Sequence, residues 1–104
     1  MYIKVNSVEE FNRILAENKV VMVDFYADWC GPCRMLSPAM EEIGNTMPDK
    51  VVVKVDVDQL NVLAYQYRVQ SIPNVVFFQN GKEVDRSIGF RPKQHFIDKL
   101  NSLA

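Results

Sequence analysis

Cys30 and Cys33 are the only two thiols in the 104-residue chain, and they are separated by Gly31-Pro32. A thiol attacks as its thiolate, so a reactive cysteine needs access and surroundings that favour an anion. The run Val20 to Tyr26 before them is apolar and β-rich, broken only by Asp24, and a helical pattern follows them. Cys30 is therefore expected just past the C-terminal end of a central strand and at a helix N-terminus, where free amides and the helix dipole lower its pKa. Gly31 lets the chain approach closely, and Pro32 is tolerated in a first helical turn, which predicts a stiff, compact lead-in. Cys33, three residues on, faces the same side. The two sulfurs can then close a disulfide with little backbone movement, and the chemistry on offer is thiol–disulfide exchange.

The same pair could be half of a zinc site, but zinc ordinarily takes four ligands, and the one further imidazole is His95. His95 lies beside Phe96 in the last helical segment and is expected at the surface, so no metal is expected. Asp24 is the other candidate for chemistry. A carboxylate inside Val-Met-Val-Asp-Phe-Tyr is expected to be desolvated, which raises its pKa; the alternative is an aspartate turned outward at a strand end.

The elements that must position these residues follow from local pattern. Met1 to Val5 reads as a strand. Ser7 and Glu10 form a capping box, and Val8, Phe11, Ile14 and Leu15 give the following helix an apolar face ending near Asn18. Val20 to Tyr26 reads as a strand covered on both faces. Leu36, Ala39, Met40, Ile43 and Met47 form the stripe of the helix after the cysteines, which Pro38 should kink and Gly44 or Asn45 to Pro48 should end. Val51 to Val57 alternates as a strand, Asp58 is placed to cap a short helix through about Tyr67, and Val75 to Gln79 and Glu83 to Ile88 form a hairpin across Asn80-Gly81. Pro92 opens a last helix carrying Phe96, Ile97, Leu100 and Leu103. The order is βαβαβαββα, an α/β fold in which strands joined through helices should run parallel and the last hairpin adds an antiparallel edge.

Composition is that of one globular domain, read as residues 1–104: 48% hydrophobic and 24% charged residues around a net charge of −1. The 12 basic and 13 acidic residues form no long block, which points away from nucleic acid and anionic lipid. No apolar run approaches the roughly 20 residues a membrane-spanning helix needs. The N-terminal residues lack a secretory pattern, and two cysteines three apart are no secreted disulfide framework, so a cytoplasmic protein is expected, with a trimmed organellar or exported form as the alternative of the same pattern; a monomer is expected as well.

Trp29-Cys30-Gly31-Pro32-Cys33 resembles the active-site motif of the thioredoxin family, and the resemblance covers nearly the whole chain. Val23-Asp24-Phe25-Tyr26-Ala27 leads into the motif as in that family, and Pro38, Ser71-Ile72-Pro73, Asn80-Gly81 and Ile88-Gly89 fall in place. The resemblance implies a thioredoxin fold, a central mixed five-stranded sheet flanked by four helices. It implies Cys30 as attacking thiol, Cys33 as buried resolving thiol, and a cis Pro73 facing them. It places Asp24 and Lys54 beneath Cys33, and Trp29, Gly31, Pro32, Ile72, Pro73 and Gly89 along a substrate surface where the backbone at Ile72 pairs with an extended segment. Pattern alone leaves Trp29 and Ile72 open as core residues and Gly89 as a turn or close-approach residue. Tyr26, Arg34, Asn74, Phe90 and Pro92 depart from the form in which tryptophan, lysine and threonine occupy the first three of these positions.

The expected function is reduction of protein disulfides without a cofactor other than the Cys30–Cys33 disulfide. Cys30 forms a mixed disulfide and Cys33 resolves it, with Asp24 taking the proton directly or through water. The partners are disulfide-containing proteins and a thioredoxin reductase or equivalent donor, because 104 residues leave no room for a flavin or nicotinamide domain. Competing classes are a non-enzymatic interaction module and an oxidant or isomerase of an export pathway.

Overall fold

The computed structural model describes residues 1–103. Its elements are β1 (Tyr2–Lys4), α1 (Val8–Glu17), β2 (Val20–Tyr26), α2 (Gly31–Thr46), β3 (Val51–Asp56), α3 (Asn61–Gln66), β4 (Asn74–Gln79), β5 (Lys82–Ile88) and α4 (Lys93–Asn101). The five strands form one mixed sheet in the order β1-β3-β2-β4-β5. β2 is central, buried along its whole length, and pairs in parallel with β3 so that Asp24 lies opposite Lys54.

Strand alternation divides the core into two layers. Val21, Val23 and Phe25 of β2 join Val51, Val53 and Val55 of β3 under α1 and α3, whose Phe11, Ile14, Leu15 and Leu63 complete that cluster. On the opposite face Val20, Met22 and Val52 pack with Leu36, Met40 and Ile43 of α2 and Phe96 and Leu100 of α4. Asp24 and Tyr26 continue this second face toward the C-terminal end of β2.

β4 runs antiparallel to β2, against the expectation that every helix-linked strand pair is parallel. The reason is length. Residues 57–73 join the two strands, but their one helix is the six-residue α3, which spans only about 9 Å against the roughly 20 Å of a six-residue strand and leaves the chain at the end of the sheet where β3 finished. Ile72 and Pro73 are thereby delivered beside the cysteines at the start of β4. The β4–β5 turn is as read: Asn80 and Gly81 both take positive φ, 53° and 79°.

Local details differ from the sequence pattern in three places. The Glu10 amide donates to Ser7 Oγ at 3.1 Å, but the Glu10 carboxylate accepts from the Asn6 amide, so the reciprocal half of the box closes one residue early. Asp58 does not cap α3; Asp56 Oδ1 accepts from the amides of Asp58 and Gln59 instead, which frees the Asp58 carboxylate for another partner. Gly44 does not end α2. It is buried within the helix where β1 crosses, and a Cβ there would meet Tyr2 Cβ at 2.8 Å, so its role is close packing. The helix also runs on through Pro38.

Candidate active site

Cys30 is the N-cap of α2, and its Sγ accepts from the Cys33 amide at 3.2 Å. That amide is one of the unpartnered donors every helix start presents, so the sequence places a sulfur where an anion is favoured. The two cysteines are disulfide-bonded, with Cα atoms 5.2 Å apart. Both are more enclosed than a freely accessible thiol: Cys30 is 5% exposed and Cys33 2%, packed with Tyr26 and Ala27 against Val57 and Ile72. The cover on Cys30 includes the Ile72 carbonyl, 3.8 Å from its Sγ.

Around this edge the other sequence candidates fall as follows. Trp29 is 69% exposed, which excludes the core reading, and its indole Nε1 donates to Asp58 Oδ2 at 2.9 Å. Pro32 is exposed and Gly31 half-buried, and, its chain neighbours and the adjoining helix backbone aside, nothing lies within 4 Å of where a Gly31 Cβ would stand. The close approach expected at Gly31 is therefore not to its own chain but opens outward. Ile72 is half-buried, and the Ile72–Pro73 bond is cis, as the family resemblance implied. The Pro73 carbonyl accepts from the Gly89 amide at 2.8 Å; Gly89 takes φ 90° with open space around it, a turn conformation.

Beneath Cys33 lies a cavity of roughly 200 Å³ lined by Asp24, Tyr26, Ala27, Asp28, Cys33, Arg34, Ser37 and Lys54. Asp24 is 2% exposed and its Oδ1 has no hydrogen-bond partner, so the outward-facing alternative is excluded. Burial pushes its carboxyl from 3.8 up to about 7, with the Lys54 ammonium opposing the shift. Burial also pushes the Tyr26 phenol up to about 12, aided by the charges of Asp56 and Asp28. The Lys54 Nζ stands 4.3 Å from the centre of the Tyr26 ring. A carboxyl that titrates near neutrality below a disulfide can hold or release a proton for the buried sulfur.

Sequence reasoning did not single out Asp58, Tyr26 or Ser37 for the site. Tyr26 and Ser37 had a signal, since period two carries Asp24 to Tyr26 and one helical turn carries Cys33 to Ser37. Asp58 had none, because its meeting with Trp29 joins two loops. His95 is half-buried, not a free surface residue, and its ring Nε2 lies 3.1 Å from Ser87 Oγ. Among the described residues no group of three or more His, Cys, Asp or Glu is placed to hold a metal ion. A larger groove of about 580 Å³, lined by Asn12, Lys19, Asn80 and their neighbours, lies at the opposite end of β2 from the sulfurs.

The Thioredoxin family model matches residues 2–102. The chain is 50% identical over 91 residues to a thioredoxin of Mycoplasmoides gallisepticum, covering 88% of this chain and 91% of the other. It is 39% identical over 92 residues to thioredoxin-1 of Saccharomyces cerevisiae, covering 88% and 89%. Among solved structures, a mutant thioredoxin from Halobacterium salinarum superimposes with a TM-score of 0.93 at 36% identity, over 98% of this chain and 89% of that one.

Proposed function

The chain belongs to the thioredoxin family, and on that premise we propose that Cys30 attacks disulfides of other proteins and Cys33 resolves the mixed disulfide. As a family member it is a thiol–disulfide oxidoreductase whose redox-active group is the Cys30–Cys33 disulfide. The observation that carries the order of attack is the Cys33 amide directed at Cys30 Sγ at the head of α2, which favours the thiolate at Cys30 once the pair is reduced.

The reaction begins when the Cys30 thiolate displaces one substrate sulfur and forms a mixed disulfide. Asp24 takes the Cys33 proton, the Cys33 thiolate attacks Cys30 Sγ, and the second substrate sulfur leaves as thiolate. Two electrons pass from the dithiol to the substrate, and the chain is left with its own disulfide. A thioredoxin reductase or an equivalent dithiol restores it. Trp29, Gly31, Pro32, Ile72, Pro73 and Gly89 form the surface along which an extended substrate segment lies, the open space at Gly31 and the exposed Trp29 supporting that reading. Lys54 modulates Asp24. Residues 1–104 act as one monomeric domain in the cytoplasm, a reducing compartment where such a pair is used for catalysis; among the described residues no helix is long and apolar enough to cross a membrane.

The test is reductase-coupled reduction of a protein disulfide followed by NADPH consumption. Turnover by the parent and none by Cys30→Ser is expected. A parent chain that is itself reduced by an active reductase yet leaves the protein disulfide intact would favour the non-enzymatic interaction module.

A further inference from the structure

We infer that Tyr26 is a positioning residue whose ring face anchors the Lys54 ammonium beside the cavity under Cys33, where it acts on Asp24 through space without forming an ion pair. The inference rests on the reading of Asp24 as proton acceptor for Cys33 and extends it to the residue that sets its charge partner. Lys54 faces Asp24 directly across the β2–β3 pairing, and both line the cavity, which would suit a salt bridge. None forms: no ion pair joins Lys54 to any carboxylate among the described residues, and Asp24 Oδ1 has no partner. The ammonium instead stands 4.3 Å from the Tyr26 ring centre, within the distance at which a cation is held by an aromatic face.

The sequence supplies this arrangement locally. Tyr26 is two residues past Asp24 and therefore on the same sheet face, so one strand carries both the acid and the ring that holds its opposing cation. The remaining ionisable groups around Asp24 are Tyr2 of β1, Cys33 and Arg34 of α2, and Asp28 in the β2–α2 loop, with Asp56 of β3 bearing on Tyr26. An ammonium on a flexible stem is strongly hydrated, so without the ring it moves toward water more readily than into the buried site. Asp24 then loses an opposing charge and its carboxyl becomes harder to ionise.

The experiment follows the Asp24 carboxyl carbon by NMR against pH in the oxidised protein, where neither cysteine titrates. Tyr26→Leu should raise the Asp24 midpoint by roughly half a pH unit or more, while Tyr26→Phe, which keeps the ring face, should leave it in place. Lys54→Met should raise it too, and Tyr26→Leu added to Lys54→Met should raise it no further. An unmoved midpoint in Tyr26→Leu, or shifts that add in the double variant, overturns the inference. A second measurement needs no substitution: the Lys54 ε-methylene protons of the parent should be shifted upfield by the ring, and ordinary shifts there overturn it as well. Failure of the proton-acceptor reading is seen elsewhere, in an unchanged rate of mixed-disulfide resolution by Asp24→Asn, so the two failures are distinguishable.

Discussion

The two faces of β2 near its C-terminal end carry opposite solutions to burial. Val23 and Phe25 point under α1 and α3 into a layer closed by Phe11, Tyr67 and Phe78, where Tyr67 meets Phe78 edge-on at 5.3 Å. Asp24 and Tyr26 point under the first turns of α2, where Ala27 and Ser37 are too small to fill the space and a cavity remains. Both faces are inaccessible, yet one is apolar and filled while the other holds an acid without a full set of partners. Alternation along a single strand thus separates what stabilises the fold from what makes the sulfurs reactive, and a residue's contribution depends on which face it takes.

The sharpest break of that comparison is at the sulfurs. Cys30→Ser should abolish turnover. Cys33→Ser should retain the first attack and accumulate mixed disulfides, because the resolving thiolate is missing. Mass spectrometry of adducts after exposure to substrate checks the order: trapping chiefly through Cys33 in Cys30→Ser would reverse the two roles.

Stability should move in opposite directions on the two faces. Phe25 is fully buried in the filled layer, and Phe25→Ala should cost about 3–5 kcal/mol at any pH at which the protein folds. Asp24→Asn should stabilise the protein at neutral and alkaline pH. The folded carboxyl titrates near 7 against an ordinary 3.8, so its stabilising contribution is fully present below about 3.8 and is lost as pH rises through about 7, above which a buried charge is carried. The asparagine carries none, and its advantage at pH 8 should be on the order of a few kcal/mol and small at pH 4. It should also slow resolution of the mixed disulfide, since an amide cannot accept the thiol proton. Denaturant melts across pH and single-turnover release check both; a less stable Asp24→Asn at pH 8 that resolves at the parent rate would remove Asp24 from the mechanism.

Much of this division could be read from the chain itself. The continuous apolar, β-rich run Val20 to Tyr26 with one aspartate in it points to a strand covered on both faces and to a desolvated acid, and Cys-Gly-Pro-Cys ahead of a helical stripe points to a sulfur at the helix start. Strand direction after α3 was not legible in the same way, because period and turn residues do not say whether a six-residue helix crosses the sheet or folds back at its end. The Trp29–Asp58 hydrogen bond was hidden for a related reason: it joins loops 29 residues apart whose meeting is set by the tertiary fold.

That hydrogen bond gives a smaller test. Trp29 and Asp58 are joined at the surface, where one neutral-to-charged bond contributes about 1 kcal/mol or less once water competes for both groups. Asp58→Ala should free the indole and raise KM for a protein disulfide a few-fold, leaving the pH dependence of stability as in the parent. A fall in kcat at unchanged KM would mean that Asp58 acts on the chemistry and not on the surface that meets substrate.

The smallest effect is expected from a polar counterpart of Asp24 on the apolar face. Asn74 opens β4 directly after Pro73, is 1% exposed, shares its sheet face with Val76 and Phe78, and leaves its Oδ1 without a partner. Like Asp24 it is a buried polar group that the fold does not satisfy, but it lines no cavity with the sulfurs and cannot ionise. Its cost is therefore desolvation alone, independent of pH. Asn74→Thr exchanges an amide for a β-branched residue that suits a strand and carries one polar atom fewer, so it should stabilise by up to about 1 kcal/mol, equally at pH 5 and pH 8. Denaturant melts at the two pH values separate this from the behaviour of Asp24→Asn. A gain confined to pH 8 would show that Asn74 bears on the charge of Asp24 through the sheet, and the two faces would then be one electrostatic unit and not two.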